Sequence, residues 1–250
     1  MRTTVKRYLE EFPPHLAADE ANVRIPSGRT SLEGELVVPE GAVGLVVFAH
    51  GTGSSRRSPR NRYVARELRR ARFGTLLLDL LTPKEETRDL EGARLRFDVG
   101  LLAQRLIGAT IWLARREGTK GVPVAFFGAS TGAAAALVAA AAFGDTVRAV
   151  VSRGGRPDLA GAALSKVLVP TLLIVGGSDR EIIRLNEEAL EKLRCEKKLY
   201  IVPGATHLFE EPGKLAEVAR LAAAWFRRHV RPGKTPADVE EPLDISVRGE

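Results

Sequence analysis

Val122-Pro123-Val124-Ala125-Phe126-Phe127-Gly128-Ala129-Ser130-Thr131-Gly132, followed by the small-residue run Ala133 to Ala142, is the stretch on which the fold turns. An apolar run leads into a Gly-x-Ser-x-Gly pentapeptide, and a helix-forming run leads out of it. Strand, sharp turn and helix are the context in which such a serine is a nucleophile elbow. The turn forces the serine backbone into a strained conformation, and small residues two before and two after it relieve the clash. The following helix points its positive N-terminal end at the serine, where negative charge would develop. The same pentapeptide also suits a plain glycine turn between a strand and a buried Ala-rich helix, so its surroundings must decide.

Outward from the elbow, apolar β-type runs alternate with helical patterns. The strands predicted are Leu36 to Val38, Gly44 to Ala49, Thr75 to Leu78, Val122 to Phe127, Val147 to Ser152, Thr171 to Val175 and Leu199 to Val202. Several are continuously apolar, as strands covered on both faces should be. The helices predicted are Arg62 to Arg72, Asp98 to Glu117, Thr131 to Phe143, Glu181 to Arg194 and Pro212 to Val230. Asp98 suits an N-cap and Gly118 a stop, and Leu102, Leu106, Ala109 and Leu113 form an apolar stripe between them. The alternation implies an α/β fold, with a mostly parallel sheet and helices on both faces. Residues 21 to 39 read as a β-hairpin preceding it.

The chain has 250 residues, 44% hydrophobic and 28% charged, which suits one large domain rather than two small ones. No apolar run approaches a membrane span, and the start lacks the apolar region of a signal peptide. The single cysteine, Cys195, excludes an internal disulfide. These features point to a soluble, cytoplasmic protein. The net charge of +7 permits nucleic-acid binding. The arginines nevertheless fall on apparent helix faces, as in Arg66 to Arg72, and no zinc-finger, RNA-binding or Walker-type motif is present, so solvated faces are the better reading.

A serine nucleophile needs a base, an orienting acid and an oxyanion hole. In open parallel sheets such groups collect beyond the carboxyl ends of strands. The strand Thr171 to Val175 runs into Gly176-Gly177-Ser178-Asp179, and Leu199 to Val202 runs into Pro203-Gly204-Ala205-Thr206-His207. Both groups fall at the required end, in the order Ser, Asp, His. Asp179 could instead simply cap the helix beginning near Glu181, and His207 could be an ordinary loop residue. His50-Gly51-Thr52-Gly53 follows the strand ending at Ala49, where glycines let a backbone N–H approach an oxyanion. A dinucleotide loop is the rival reading of Gly51-x-Gly53-x-x-Arg56, but its third glycine is missing. His50 reads as holding the loop.

On His50 to Gly53, Gly128 to Gly132, Gly177-Ser178-Asp179 and Gly204 to His207, the chain resembles the α/β-hydrolases of the dienelactone-hydrolase-like family over about residues 20 to 230. The resemblance implies Ser130 as nucleophile, His207 as base, Asp179 as orienter, and Thr52 and Thr131 as oxyanion donors, with no cofactor or metal. Dienelactone hydrolases proper use a cysteine nucleophile. The serine here favours a general esterase acting on a carboxylic ester, lactone or thioester through an acyl-enzyme. A hydrolase-fold binding protein and an acyltransferase with the same triad are the alternatives.

The expected organisation is an N-terminal extension (1–19), a hydrolase domain (20–230) and a loosely packed tail (231–250). The polar stretch Thr82 to Arg96 is too short for a lid domain, which leaves an open site. Arg56, Arg57, Arg60 and Arg62 follow the oxyanion loop, and Arg153-Gly154-Gly155-Arg156 follows another strand. Arg56, Arg153 and Arg156 are candidates for reading a substrate carboxylate or phosphate. Solvated arginines, or pairs with carboxylates such as Asp158, explain them equally well. The expected partner is a small ester-type molecule, anionic if these arginines read it, and neither nucleic acid nor a membrane.

Overall fold

The computed structural model of the protein describes residues 19–144 and 146–230. The tail expected at 231–250, and all of the expected N-terminal extension except residue 19, lie outside the described residues. The described chain is an eight-stranded sheet in the order β1-β2-β4-β3-β5-β6-β7-β8. Its strands are β1 (Asp19–Ser27), β2 (Thr30–Val38), β3 (Gly44–Ala49), β4 (Phe73–Leu78), β5 (Val124–Ala129), β6 (Val147–Arg153), β7 (Thr171–Gly176) and β8 (Lys197–Val202). β1 and β2 form the hairpin read from residues 21 to 39 and join β4 antiparallel. Every other pairing is parallel. This is the α/β class that the alternation implies.

Strand alternation divides the core. Leu45, Val47, Leu76, Phe126 and Val150 face one side, beneath Leu102, Leu106 and Leu113 of α3 (Val99–Arg115) and the alanines of α4 (Thr131–Phe143). Val46, Phe48, Leu77, Phe127, Val151 and Ile174 face the other, beneath Val64 and Leu68 of α1 (Pro59–Arg70) and Val218, Ala222 and Phe226 of α6 (Lys214–His229). Beneath the outer strands, α5 (Arg180–Lys192) adds Ile182 and Leu185. α4 is buried all round, 11 of its 13 residues being buried. Its alanines allow this, because small side chains let the helix lie close to the strands on its inner side and to α3 outside.

The element boundaries have local causes. β5 begins at Val124 rather than Val122 because Pro123 has no N–H for the ladder, although its carbonyl accepts from Leu45. α3 starts on Asp98, whose carboxylate accepts from the Leu101 N–H at 2.9 Å. It stops at Arg115, short of the expected Glu117, where Thr119 donates its hydroxyl to the Leu113 carbonyl at 2.7 Å. The stretch Thr82 to Arg96 is more ordered than its polarity suggests. Thr82 and Glu85 make a capping box that starts α2 (Pro83–Arg88), and irregular turns continue to Phe97. No helix among the described residues is long and apolar enough to cross a membrane.

Candidate active site

β5 delivers the chain into α4 through Ser130, whose φ of 51° and ψ of −123° are a costly conformation for a non-glycine residue, about 1–3 kcal/mol. The flanking glycines make this turn possible. A Cβ on Gly128 would lie 2.7 Å from the Gly132 carbonyl, and one on Gly132 would lie 2.5 Å from the His50 carbonyl. α4 therefore packs directly on the β3 end and on the elbow. Although Ser130 occupies the N-cap position, its hydroxyl makes no capping bond. The oxygen is left for other chemistry at a helix terminus with unpaired N–H groups.

Asp179 also occupies an N-cap position, that of α5, and its side chain makes no capping bond either. It accepts from His207 Nδ1 at 2.7 Å. A carboxylate accepts only, so this bond places a proton on Nδ1, and in the neutral ring Nε2 is then the acceptor.

The segment Arg153 to Arg156 ties this pair to the elbow. The Ser130 N–H donates to the Arg153 carbonyl at 3.3 Å, and the Arg156 N–H donates to the Ser130 carbonyl at 3.1 Å. Gly154, at φ +50°, lies so close to His207 that a Cβ would come within 3.0 Å of its carbonyl and 3.6 Å of its Cε1. Asn186 of α5, fully buried, donates to the Gly155 carbonyl at 3.0 Å and to the Ile182 carbonyl at 2.8 Å. It anchors the loop that separates serine from histidine. Sequence reasoning missed this residue, yet a signal existed: Asn186 interrupts the apolar stripe Ile182, Leu185 and Ala189.

The loop after β3 is held from two sides. The buried His50 ring uses Nε2 to accept from the Leu80 N–H at 3.0 Å, and its Nδ1 contacts the Gly51 carbonyl at 3.0 Å. Burial pulls the His50 pKa below its ordinary value. Asp79 accepts from the Arg56 N–H at 2.6 Å and pairs with its guanidinium. Thr52 and Thr131, the oxyanion donors that the resemblance implies, are in direct contact. The Thr52 N–H donates to the Thr131 hydroxyl at 3.0 Å, and the two hydroxyls are 3.0 Å apart. The Thr131 hydroxyl therefore occupies the donor that an oxyanion would use. A cavity of about 630 Å³ opens beside these residues, lined by Thr52, Thr131, Ser55, Arg57, Arg60 and Leu90 among others.

Most of the arginines near this end have partners of their own. Arg56 is committed to Asp79 and Glu33. Arg62 pairs with Glu35. Arg156 makes a forked contact with Asp158, the pairing weighed from the sequence, which raises its pKa. Arg153 turns into the interior. Among the described residues no cluster of three His, Cys, Asp or Glu side chains could hold a metal ion.

The family model described as the dienelactone hydrolase family matches residues 36–230. Two curated relatives, from Mycobacterium tuberculosis strains CDC 1551 and H37Rv, are each 56% identical over 211 residues, 84% of this chain, and are provisionally named phosphoribosyl transferases. The chain spans 47% of the length of each. A dienelactone hydrolase from Anabaena variabilis is 57% identical, with a TM-score of 0.84 over 86% of this chain and all of that one. Est1E from Butyrivibrio proteoclasticus shares the fold, at 14% identity and a TM-score of 0.68 over 83% of this chain and 98% of that one.

Proposed function

Because this chain belongs to the dienelactone hydrolase family, we propose that it is a serine hydrolase cleaving a carboxylic ester, lactone or thioester. The observation that carries the reading is the 2.7 Å bond between Asp179 and His207, made by an aspartate that declines to cap its own helix.

In this reading His207 Nε2 takes the Ser130 proton as Oγ attacks the carbonyl carbon. Asp179 stabilises the imidazolium that forms. The tetrahedral oxyanion meets the Thr131 N–H, an orphan of the first turn of α4, and the Thr52 N–H once the Thr131 hydroxyl rotates away. The proton on His207 passes to the leaving group. Water, activated by the same histidine, then releases the acyl-enzyme. Serine in place of cysteine needs this base more, because a hydroxyl is far less acidic than a thiol. The single cysteine suits a reducing compartment, and a cytoplasmic setting is part of the proposal.

The transferase name of the mycobacterial relatives belongs to chains of which this one spans 47%. A panel of nitrophenyl esters of graded acyl length tests the reading. Ser130→Ala should lose about three orders of magnitude or more in kcat while folding normally. Near-full turnover by that variant would reject it.

A further inference from the structure

Arg153 ends β6 on the face covered by α1 and α6, and only 7% of it is exposed. Its Nη2 reaches the Asn61 amide oxygen at a long 3.4 Å. Its Nε and Nη1 are fully buried and meet no acceptor among the described residues. The charge that bears on it is another cation. Burial, and then Arg60, lower its pKa to about 10. Arg60 gives Nη1 to Glu210 at 2.5 Å, but its Nε is also buried without an acceptor.

Both arginines converge on one helix end. Arg60 and Asn61 are the second and third residues of α1, and that first turn contains no acidic side chain. Pro59 has no N–H and the Ser58 hydroxyl accepts from the Asn61 N–H at 3.4 Å, so Arg60 carries the terminal N–H that this cap does not take. A helix N-terminus is itself a centre of positive potential. A buried cation without a counter-charge is strongly destabilising, and more so beside a like charge. Guanidinium N–H groups left free at a helix N-terminus match the fork of a carboxylate or phosphate.

We propose that the Arg153 and Arg60 guanidinium groups, with the Arg60 N–H at the start of α1, form a binding site for a small oxyanion, a carboxylate or phosphate, distinct from the oxyanion hole beside Ser130. Arg60, Pro59 and Ser58 also line the cavity next to Thr52 and Thr131, so the Arg60 side of the site faces that cavity, while Arg153 lies behind it. The two backbone donors at the catalytic serine bind charge that develops during reaction. This site binds a charge that is already present.

The test is the melting temperature of the whole chain titrated with inorganic phosphate, ionic strength being held constant with sodium chloride. At about ten times its Kd, phosphate should raise the wild-type midpoint by roughly 3–5 °C. Arg153→Met should abolish that shift, and Arg60→Met, at a partly exposed position, should at least halve it. Arg184→Met, a remote exposed cation on α5, should keep it. No phosphate-specific shift in wild type up to about 50 mM, or equal shifts in wild type and Arg60→Met, would overturn the site even if Arg153→Met does not fold. This readout is independent of turnover, so its failure is distinct from failure of the esterase reading. Phosphate competing with a neutral nitrophenyl ester would mark an oxyanion carried by substrate. Stabilisation without competition would mark a free ion.

Discussion

Gly132→Ala and Gly108→Ala are the same substitution in the same secondary structure, and they should have opposite effects. Both glycines lie inside helices, in α4 and α3, and neither needs a positive φ. Replacing a helical glycine by alanine ordinarily stabilises by about 0.5–1 kcal/mol. A Cβ on Gly108 meets nothing within 4 Å, so that gain should appear in full. A Cβ on Gly132 would stand 2.5 Å from the His50 carbonyl oxygen, and the Ala49 carbonyl is closer still. Both obstacles are backbone, so neither can rotate aside. Measured from the Ala49 carbonyl oxygen, the nearer of the two, α4 must withdraw by about an ångström to restore ordinary contact. Overpacking of this kind costs about 1–3 kcal/mol, which outweighs the propensity gain. The withdrawal also drags Ser130, the residue before α4, away from Thr52 and His207. A displacement approaching an ångström at reacting atoms costs about 100-fold in rate. Urea denaturation should place Gly108→Ala above wild type and Gly132→Ala below it. Ester turnover should be unchanged in the first and reduced about 100-fold in the second, with KM little altered. Wild-type kcat in a stable Gly132→Ala protein would refute the claim that helix–strand contact sets the elbow.

The buried His50 makes stability depend on pH. Its folded pKa lies below the ordinary 6.5, so the unfolded chain binds the extra proton first. Stability should be full above pH 6.5 and decline as pH falls through and below that value. His50→Gln, which keeps a polar acceptor without titrating, should flatten that part of a midpoint-versus-pH curve, and an unchanged slope would remove His50 as its source. Asn186 should act as a positioning residue. Asn186→Leu keeps bulk but frees the Gly155 carbonyl, so kcat should fall about 10-fold or more with KM within a factor of about three. Parallel loss of kcat and of folded protein would reduce Asn186 to a stability role.

Much of this was legible in sequence, for physical reasons that differ by element. Continuous apolar runs marked the buried parallel strands, because covering on both faces removes the polar alternation. The rule that groups collect beyond strand ends led to Asp179 and His207 without any contact information. The arginines were illegible because their partners are remote in the chain. Arg56 meets Asp79 and Glu33, and nothing local to residue 56 announces either. Arg156 with Asp158 was readable because the pair is two residues apart. The order in Thr82 to Arg96 could have been found, since Thr82-Pro83-Lys84-Glu85 is a capping-box pattern with proline at the first helical position. The bond from the Thr52 N–H to the Thr131 hydroxyl joins residues on separate strand ends and could come only from the structure.

The most direct measurement of the central claim is capture of the acyl-enzyme. The protein is mixed with a nitrophenyl ester, quenched in acid within its first turnovers, digested and analysed by mass spectrometry. The account predicts one acyl group per chain, on the peptide containing Ser130, longer-lived in His207→Ala if it forms there at all, and absent from Ser130→Ala. An acyl group on any other residue, or turnover by Ser130→Ala at the wild-type rate, would contradict it.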